Sequence, residues 1–243
     1  MTKLHKKSPL IFALMWIGIY IVFSSLAEEL SRQIGLESSV TAAFHLLCSL
    51  FLLLWLKKQG LFAEYGLCRA KYPAAKFLYY IPLLLAASCN LWLGLRLNLS
   101  PLESAFYVLS MFCVGFLEEI IFRGFLFKAM SRDNIKSAII VSSVTFGIGH
   151  IINLFNGSGM GLVANLCQVV YAIAFGFLFV TIFHRGGSLL PCILTHSVVN
   201  ALSVFATEPE TAAGEIVTAL ILTAIGVIYT LALLKTLPAP EKE

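Results

Sequence analysis

The chain has 243 residues, of which 59% are hydrophobic and only 12% charged, with a formal net charge of +4. Its mean hydropathy of +0.89 departs far from the soluble average of roughly half apolar and a quarter charged residues, which excludes a freely soluble domain and points to a polytopic membrane protein. The positive charge sits in loops that would face anionic lipid and gives no basic face for nucleic acid. The scattered cysteines (Cys48, Cys68, Cys89, Cys113, Cys167, Cys192) include no C-x-x-C pair for a zinc or redox motif, and read as small buried hydrophobes.

About eight apolar runs are long enough, at ~17 to 25 residues, to cross a ~30 Å hydrocarbon core as helices. They are Pro9–Leu26, Val40–Leu56, Phe77–Leu95, Ser104–Phe127, Ser137–Ile152, Leu162–Phe183, Gly187–Ala206 and Ile216–Leu234. The fold class expected is an all-α transmembrane bundle forming one domain over residues 1–243, since no repeat, low-complexity tract or linker marks a second one. The Lys-rich Met1–Lys7, the first run and Ser25-Leu26-Ala27 also resemble a signal peptide with a small-residue cleavage site. The length of the run favours a retained helix, and its removal would leave the rest of the topology unchanged.

Basic residues alternate in sidedness across these runs. One side collects Lys3, Lys6, Lys7, Lys57, Lys58, Arg69, Lys71, Lys76, Lys128, Arg132, Lys136, Arg185, Lys235 and Lys242. The other holds only Arg32 and Arg96, together with Glu28, Glu29, Glu37, Glu103, Glu208, Glu210 and Glu215. By the positive-inside rule both termini are expected in the cytoplasm, which requires an even number of crossings.

The stretch Phe116 to Phe125 places Glu118, Glu119 and Arg123 inside an apolar run, where a charge at the bilayer centre costs on the order of 3 kcal/mol or more unless paired or wet. These are the only charged side chains expected outside loops and tails. Residues four apart share a helix face, so Glu119 and Arg123 can pair while Glu118 looks across the bundle. Counting ~1.5 Å per residue from Lys128, Lys136 and Arg185, Glu118 lies ~15 Å deep, His150 ~21 Å and His196 ~17 Å. Three polar groups on three helices thus meet at one level, with Asn200 one turn from His196.

The remaining features read more plainly. His45, near the outer end of the second run, has no such company, and His5 and His184 read as membrane-edge residues. Gly115, Gly147 and Gly149 remove side chains where helices would approach closely, and Phe146, four residues before His150, supports that histidine's face. Asn153, Asn156 and the run Gly157-Ser158-Gly159-Met160-Gly161 read as a flexible outer loop. Trp16, Tyr20, Trp55, Tyr79, Tyr80, Trp92 and Tyr107 fit interfacial anchoring or packing.

A carboxylate and two imidazoles around a water pocket have two chemical uses. The carboxylate can act as general base on water, or the three groups can hold a divalent metal such as zinc that acidifies its bound water. Both routes hydrolyse a bond brought into the membrane, and Asn200 with one histidine can donate to the oxyanion.

Glu118-Glu119-x-x-x-Arg123, Phe146-x-x-x-His150 and His196-x-x-x-Asn200 resemble the three ordered motifs of the CPBP family of intramembrane proteases. That family includes the CAAX prenyl proteases and Abi-like bacterial proteins linked to bacteriocin self-immunity. The resemblance covers about Phe106 to Val204, within a motif-bearing core of residues 104–206. It implies a cell-membrane endopeptidase open toward the cytoplasm and acting on a hydrophobic or lipidated, CAAX-type peptide or protein. It further implies Glu118 as catalytic base, His150 as its partner on the water, His196 and Asn200 as oxyanion or metal-site groups, and Glu119 and Arg123 as architectural support. Glu118, His150 and His196 are the metal candidates, and metal dependence stays open. Two other readings compete: a non-catalytic bacteriocin-immunity or regulatory protein, and a proton- or cation-coupled transporter, which would call for broken helices or repeat symmetry.

Overall fold

Local sequence signals set where the helices begin and end. Pro9 opens one helix with the backbone angle its first turn needs, and Gly35, at φ +73°, closes it in the left-handed conformation that glycine adopts without strain. Before Pro101 the Ser100 hydroxyl accepts from the Glu103 N–H while the Glu103 carboxylate accepts from the Ser100 N–H, a reciprocal cap. Asn134 caps the helix at Ile135, its side chain accepting from the Ser137 N–H. The computed structural model describes residues 1–157 and 159–239; Ser158 of the expected outer loop and Lys242 of the basic side lie outside them. The helices are α1 (Thr2–Lys7), α2 (Pro9–Ile34), α3 (Ser39–Gln59), α4 (Ile81–Ala87), α5 (Pro101–Glu118), α6 (Lys128–Ser131), α7 (Ile135–Gly149), α8 (Leu162–Gly186), α9 (Leu190–Leu202) and α10 (Ala212–Thr236).

Among the described residues, seven helical segments are long and apolar enough to cross a membrane: Pro9–Ile34, Ser39–Gln59, Ala74–Leu91, Pro101–Ser131, Ile135–Leu154, Leu162–Gly186 and Ala212–Thr236. The seventh expected span is shorter, Leu190–Phe205. Gly187 turns left-handed at φ +76° to end α8, and the Ser188 hydroxyl bonds the Cys68 carbonyl, so the next helix starts only at Leu190. The first helix runs further than expected, to Ile34. It carries Glu28, Glu29 and Arg32 on its last turns, so these charges ride on a helix and do not sit in a loop.

The third expected span is broken. Leu78, Tyr79 and Tyr80 are left-handed, at φ 49°, 53° and 59°, a conformation costing L residues roughly 1–2 kcal/mol each. α10 takes up the displaced backbone: the Tyr229 hydroxyl donates to the Phe77 carbonyl at 2.6 Å and Thr236 to the Lys76 carbonyl at 2.7 Å. The break that a transporter reading asks for is therefore present, but the carbonyls next to it accept from α10 hydroxyls.

α5 packs between α3 and α9, and α8 between α7 and α10. Gly115 lies against the backbone of Ser197, and Gly147 against Ile173 and Val169, where any Cβ would collide. Gly149 meets nothing within 4 Å, so the packing role expected of it is absent. Phe12, Trp55 and Tyr65 surround Phe125, with ring centroids 4.9 Å (Phe12) and 5.1 Å (Tyr65) from it. His5 is part of this cluster, being 8% exposed, with Nε2 2.5 Å from the Tyr65 hydroxyl. It is a packed residue and not the membrane-edge one expected.

Candidate active site

The two carboxylates stand at a change of helix type. α5 ends at Glu118, and the next nine residues, Glu119–Phe127, wind as a π-helix in which every side chain is buried. Such i→i+5 segments recur at functional sites because they displace side chains from the α register. Glu119 and Arg123 are fully buried and paired, with Arg123 Nη1 3.1 Å from Glu119 Oε1. The guanidinium carbon also lies 3.8 Å from the centre of the Phe146 ring, which gives a buried cation a π face as well as a counter-charge.

His196, on α9, reaches both carboxylates. Its Nδ1 is 2.9 Å from Glu119 Oε1, and its Nε2 is 3.5 Å from Glu118 Oε2. Since a carboxylate only accepts, Nδ1 carries the proton toward Glu119, and Nε2 is left facing Glu118. Phe146 is the hub between the two histidines, edge-on to His150 at 5.1 Å and to His196 at 5.7 Å. His150 sits where α7 tightens into a 3-10 turn; its Nδ1 is 3.0 Å from the Phe146 carbonyl, which leaves Nε2 as the free nitrogen. The fold thus gathers Glu118, Glu119, Arg123, Phe146, His150 and His196. Asn200 is half-buried one turn beyond His196, and its backbone carbonyl accepts from the Ser203 hydroxyl.

Three partners escaped the sequence reading. The Tyr20 hydroxyl on α2 donates to Glu118 Oε1 at 2.6 Å. Asn165, fully buried on α8, donates to the His150 carbonyl at 2.8 Å and so fixes the turn that carries this histidine. His45, expected to be isolated, is 2% exposed and bonded on both nitrogens, to Ser24 and Ser110 at 2.9 Å each. Serines, asparagines and tyrosines inside apolar runs are too common for the sequence to single these out. Among the described residues no three His, Cys, Asp or Glu side chains are grouped to hold a metal ion. His196 Nδ1 is engaged by a carboxylate and His150 Nδ1 by a carbonyl, so the atoms left to hold an ion such as zinc would be Nε2 of each histidine and Glu118 Oε2, of which His196 Nε2 and Glu118 Oε2 lie 3.5 Å apart.

Residues 100–202 match the family model described as type II CAAX prenyl endopeptidase Rce1-like. No curated protein and no solved structure matches the chain. The matched segment runs from the capped start of α5 to the end of α9 and contains all three motifs whose side chains the fold brings together. Over this segment, which is less than half of the chain, the match supports a likeness to the CPBP/CAAX protease family.

Proposed function

We propose that this protein is an endopeptidase of the cell membrane, open toward the cytoplasm, that hydrolyses a peptide bond in a hydrophobic or lipidated, CAAX-type peptide or protein. The observation that carries the reading is the state of Glu118. One carboxylate oxygen is tied to Tyr20; the other, Oε2, is buried, accepts no hydrogen bond from the protein and faces His196. A carboxylate held in this way can orient a water and take its proton.

In the proposed reaction the water oxygen attacks the carbonyl carbon as its proton passes to Glu118 Oε2. His150 Nε2 accepts from the water's second hydrogen. Negative charge develops on the carbonyl oxygen, where His196 Nε2–H and the Asn200 amide act as donors. Glu119 holds His196 from behind by accepting from Nδ1–H, so donation from Nε2 in this step requires a proton on both ring nitrogens, while Arg123 is the counter-charge of Glu119. Collapse breaks the C–N bond, and the proton on Glu118 passes to the leaving nitrogen. No step runs through a metal.

The test uses the full-length protein in proteoliposomes with a prenylated CAAX-type reporter peptide. Glu118→Gln is expected to lower turnover by about 10²–10⁴-fold with thermal stability retained, and a chelator to leave the wild-type rate unchanged. Turnover that survives Glu118→Gln, or a cellular function that survives Glu118→Ala combined with His150→Ala, ends the hydrolase reading in favour of a binding role.

A further inference from the structure

Glu118 takes a hydrogen bond from outside the matched segment: residues 100–202 include neither α2 nor α3, yet Tyr20 of α2 is its shortest polar contact. We propose that Tyr20 is a positioning residue that makes the two oxygens of Glu118 inequivalent, so that the first long helix is a working part of the active site. The proposal rests on the reading of Glu118 as the base.

The support for Tyr20 is built across three helices. Tyr20 and Ser24 are four apart on α2 and share a face. The Ser24 hydroxyl meets His45 Nε2 on α3, and His45 Nδ1 meets the Ser110 hydroxyl on α5, each at 2.9 Å. Ser110 lies about two turns before Glu118 on the same helix. His45 and Ser110 are buried, and the Tyr20 and His45 rings lie 5.9 Å apart. A neutral imidazole that donates with one nitrogen and accepts with the other has no remaining capacity, so this clamp is satisfied without charge. It fixes α2 against α3 and α5 at the height from which the phenol reaches Glu118.

The chemical consequence follows from the end of the glutamate side chain, whose last torsion is broad and nearly two-fold. Without a donor on one side the carboxylate plane can turn away from the histidine. With one oxygen held by the phenol at 2.6 Å the plane is pinned, and the other oxygen, Oε2, stays directed at His196. The same phenol, if it only satisfied a buried acid, would affect folding but not turnover.

The experiment compares wild type, Tyr20→Phe and Tyr229→Phe, full-length in proteoliposomes. Tyr229→Phe removes another buried phenol bond, the one from α10 to the Phe77 carbonyl. Tyr20→Phe is expected to lower kcat about 10–100-fold with KM within about twofold, whereas Tyr229→Phe keeps the wild-type kcat. A wild-type kcat in Tyr20→Phe, or a change confined to KM, overturns the proposal. A second readout is independent of turnover: the rate at which a hydrophobic carbodiimide labels Glu118, followed by mass spectrometry. Tyr20→Phe is expected to raise that rate severalfold because Oε1 loses its donor, and an unchanged rate overturns the proposal. If the wild-type protein cleaves no reporter, the hydrolase reading fails by itself and the labelling result alone decides on Tyr20.

Discussion

Arg123 shows how one residue can hold a site without touching the reacting atoms. Its guanidinium is wholly buried, bonded to Glu119 and stacked over Phe146. Removing one member of such a pair leaves the other charge uncompensated, and Arg123→Leu is expected to cost about 3–5 kcal/mol. Glu119→Gln in the same chain removes the stranded charge and should recover most of that loss, because residues in direct contact couple strongly. Cleavage should not recover, since His196 then lacks the carboxylate that orients its Nδ1. Unfolding followed alongside reporter turnover checks this, and equal instability of the single and double variants would contradict it. The Glu119–Arg123 pair was legible in the sequence because an i,i+4 spacing on a helix fixes both height and direction. The partnerships of Tyr20 and His45 were not. Counting residues from a loop gives depth, but the side of the helix on which Ser24, His45 and Ser110 meet depends on how α2, α3 and α5 are rotated about their axes.

At the scale of elements, the segments that differ from expectation are those where backbone geometry changes under an unchanged apolar pattern. Glu119–Phe127 reads as uninterrupted helix, since i→i+4 and i→i+5 winding bury the same nine residues, and the left-handed Leu78, Tyr79 and Tyr80 carry no glycine to announce them. Capped and glycine-closed ends, by contrast, were readable. The short α1 adds a pH-dependent element. Burial pushes the His5 imidazole below its ordinary value of 6.5, outweighing the upward pull of Glu64, while Arg132 and Lys6 add to the lowering. The unfolded chain then binds a proton at higher pH than the folded one, so stability from this packing is complete above about pH 6.5 and is lost as pH falls through the lower folded value. Acidification from about pH 7.5 to about pH 5 is expected to lower the thermal midpoint of wild type more than that of His5→Phe. Equal shifts in the two proteins would remove His5 as the cause. Through Tyr65, whose ring packs on Phe125 of the π segment, loosening of α1 would reach the element that carries Glu119 and Arg123.

For the whole molecule, the number of crossings turns on α9. The seven longer segments alone, being odd in number, would put the two termini on opposite sides of the membrane. The charge bias of the loops asks for an even number. α9 and the 3-10 turn after it have 13 and 3 residues, a length of roughly 24 Å at ~1.5 Å per residue, short of a ~30 Å core. The two ends of this helix settle how it should be counted. At its start the Leu189 N–H donates to the Gly66 carbonyl at 2.8 Å and Ser188 to that of Cys68 at 2.6 Å, in the loop before the Ala74–Leu91 segment. At its end the Arg96 N–H donates to the Phe205 carbonyl at 2.8 Å and the Asn98 amide to that of Val204 at 3.0 Å, in the loop after that segment. α9 therefore spans the distance between the two loops that Ala74–Leu91 spans, and if one crosses, so does the other; local thinning of the bilayer or loops set below its surface accommodate the shortfall. In a cysteine-free background, Lys3→Cys and Lys235→Cys are expected to react with an impermeant maleimide from the cytoplasmic face only, and Glu210→Cys from the opposite face only. Reaction of Lys3→Cys and Lys235→Cys on opposite faces would mean that one of these two tied segments enters and leaves on the same side, and the loops joined by Leu189 and Arg96 could not then lie at opposite surfaces.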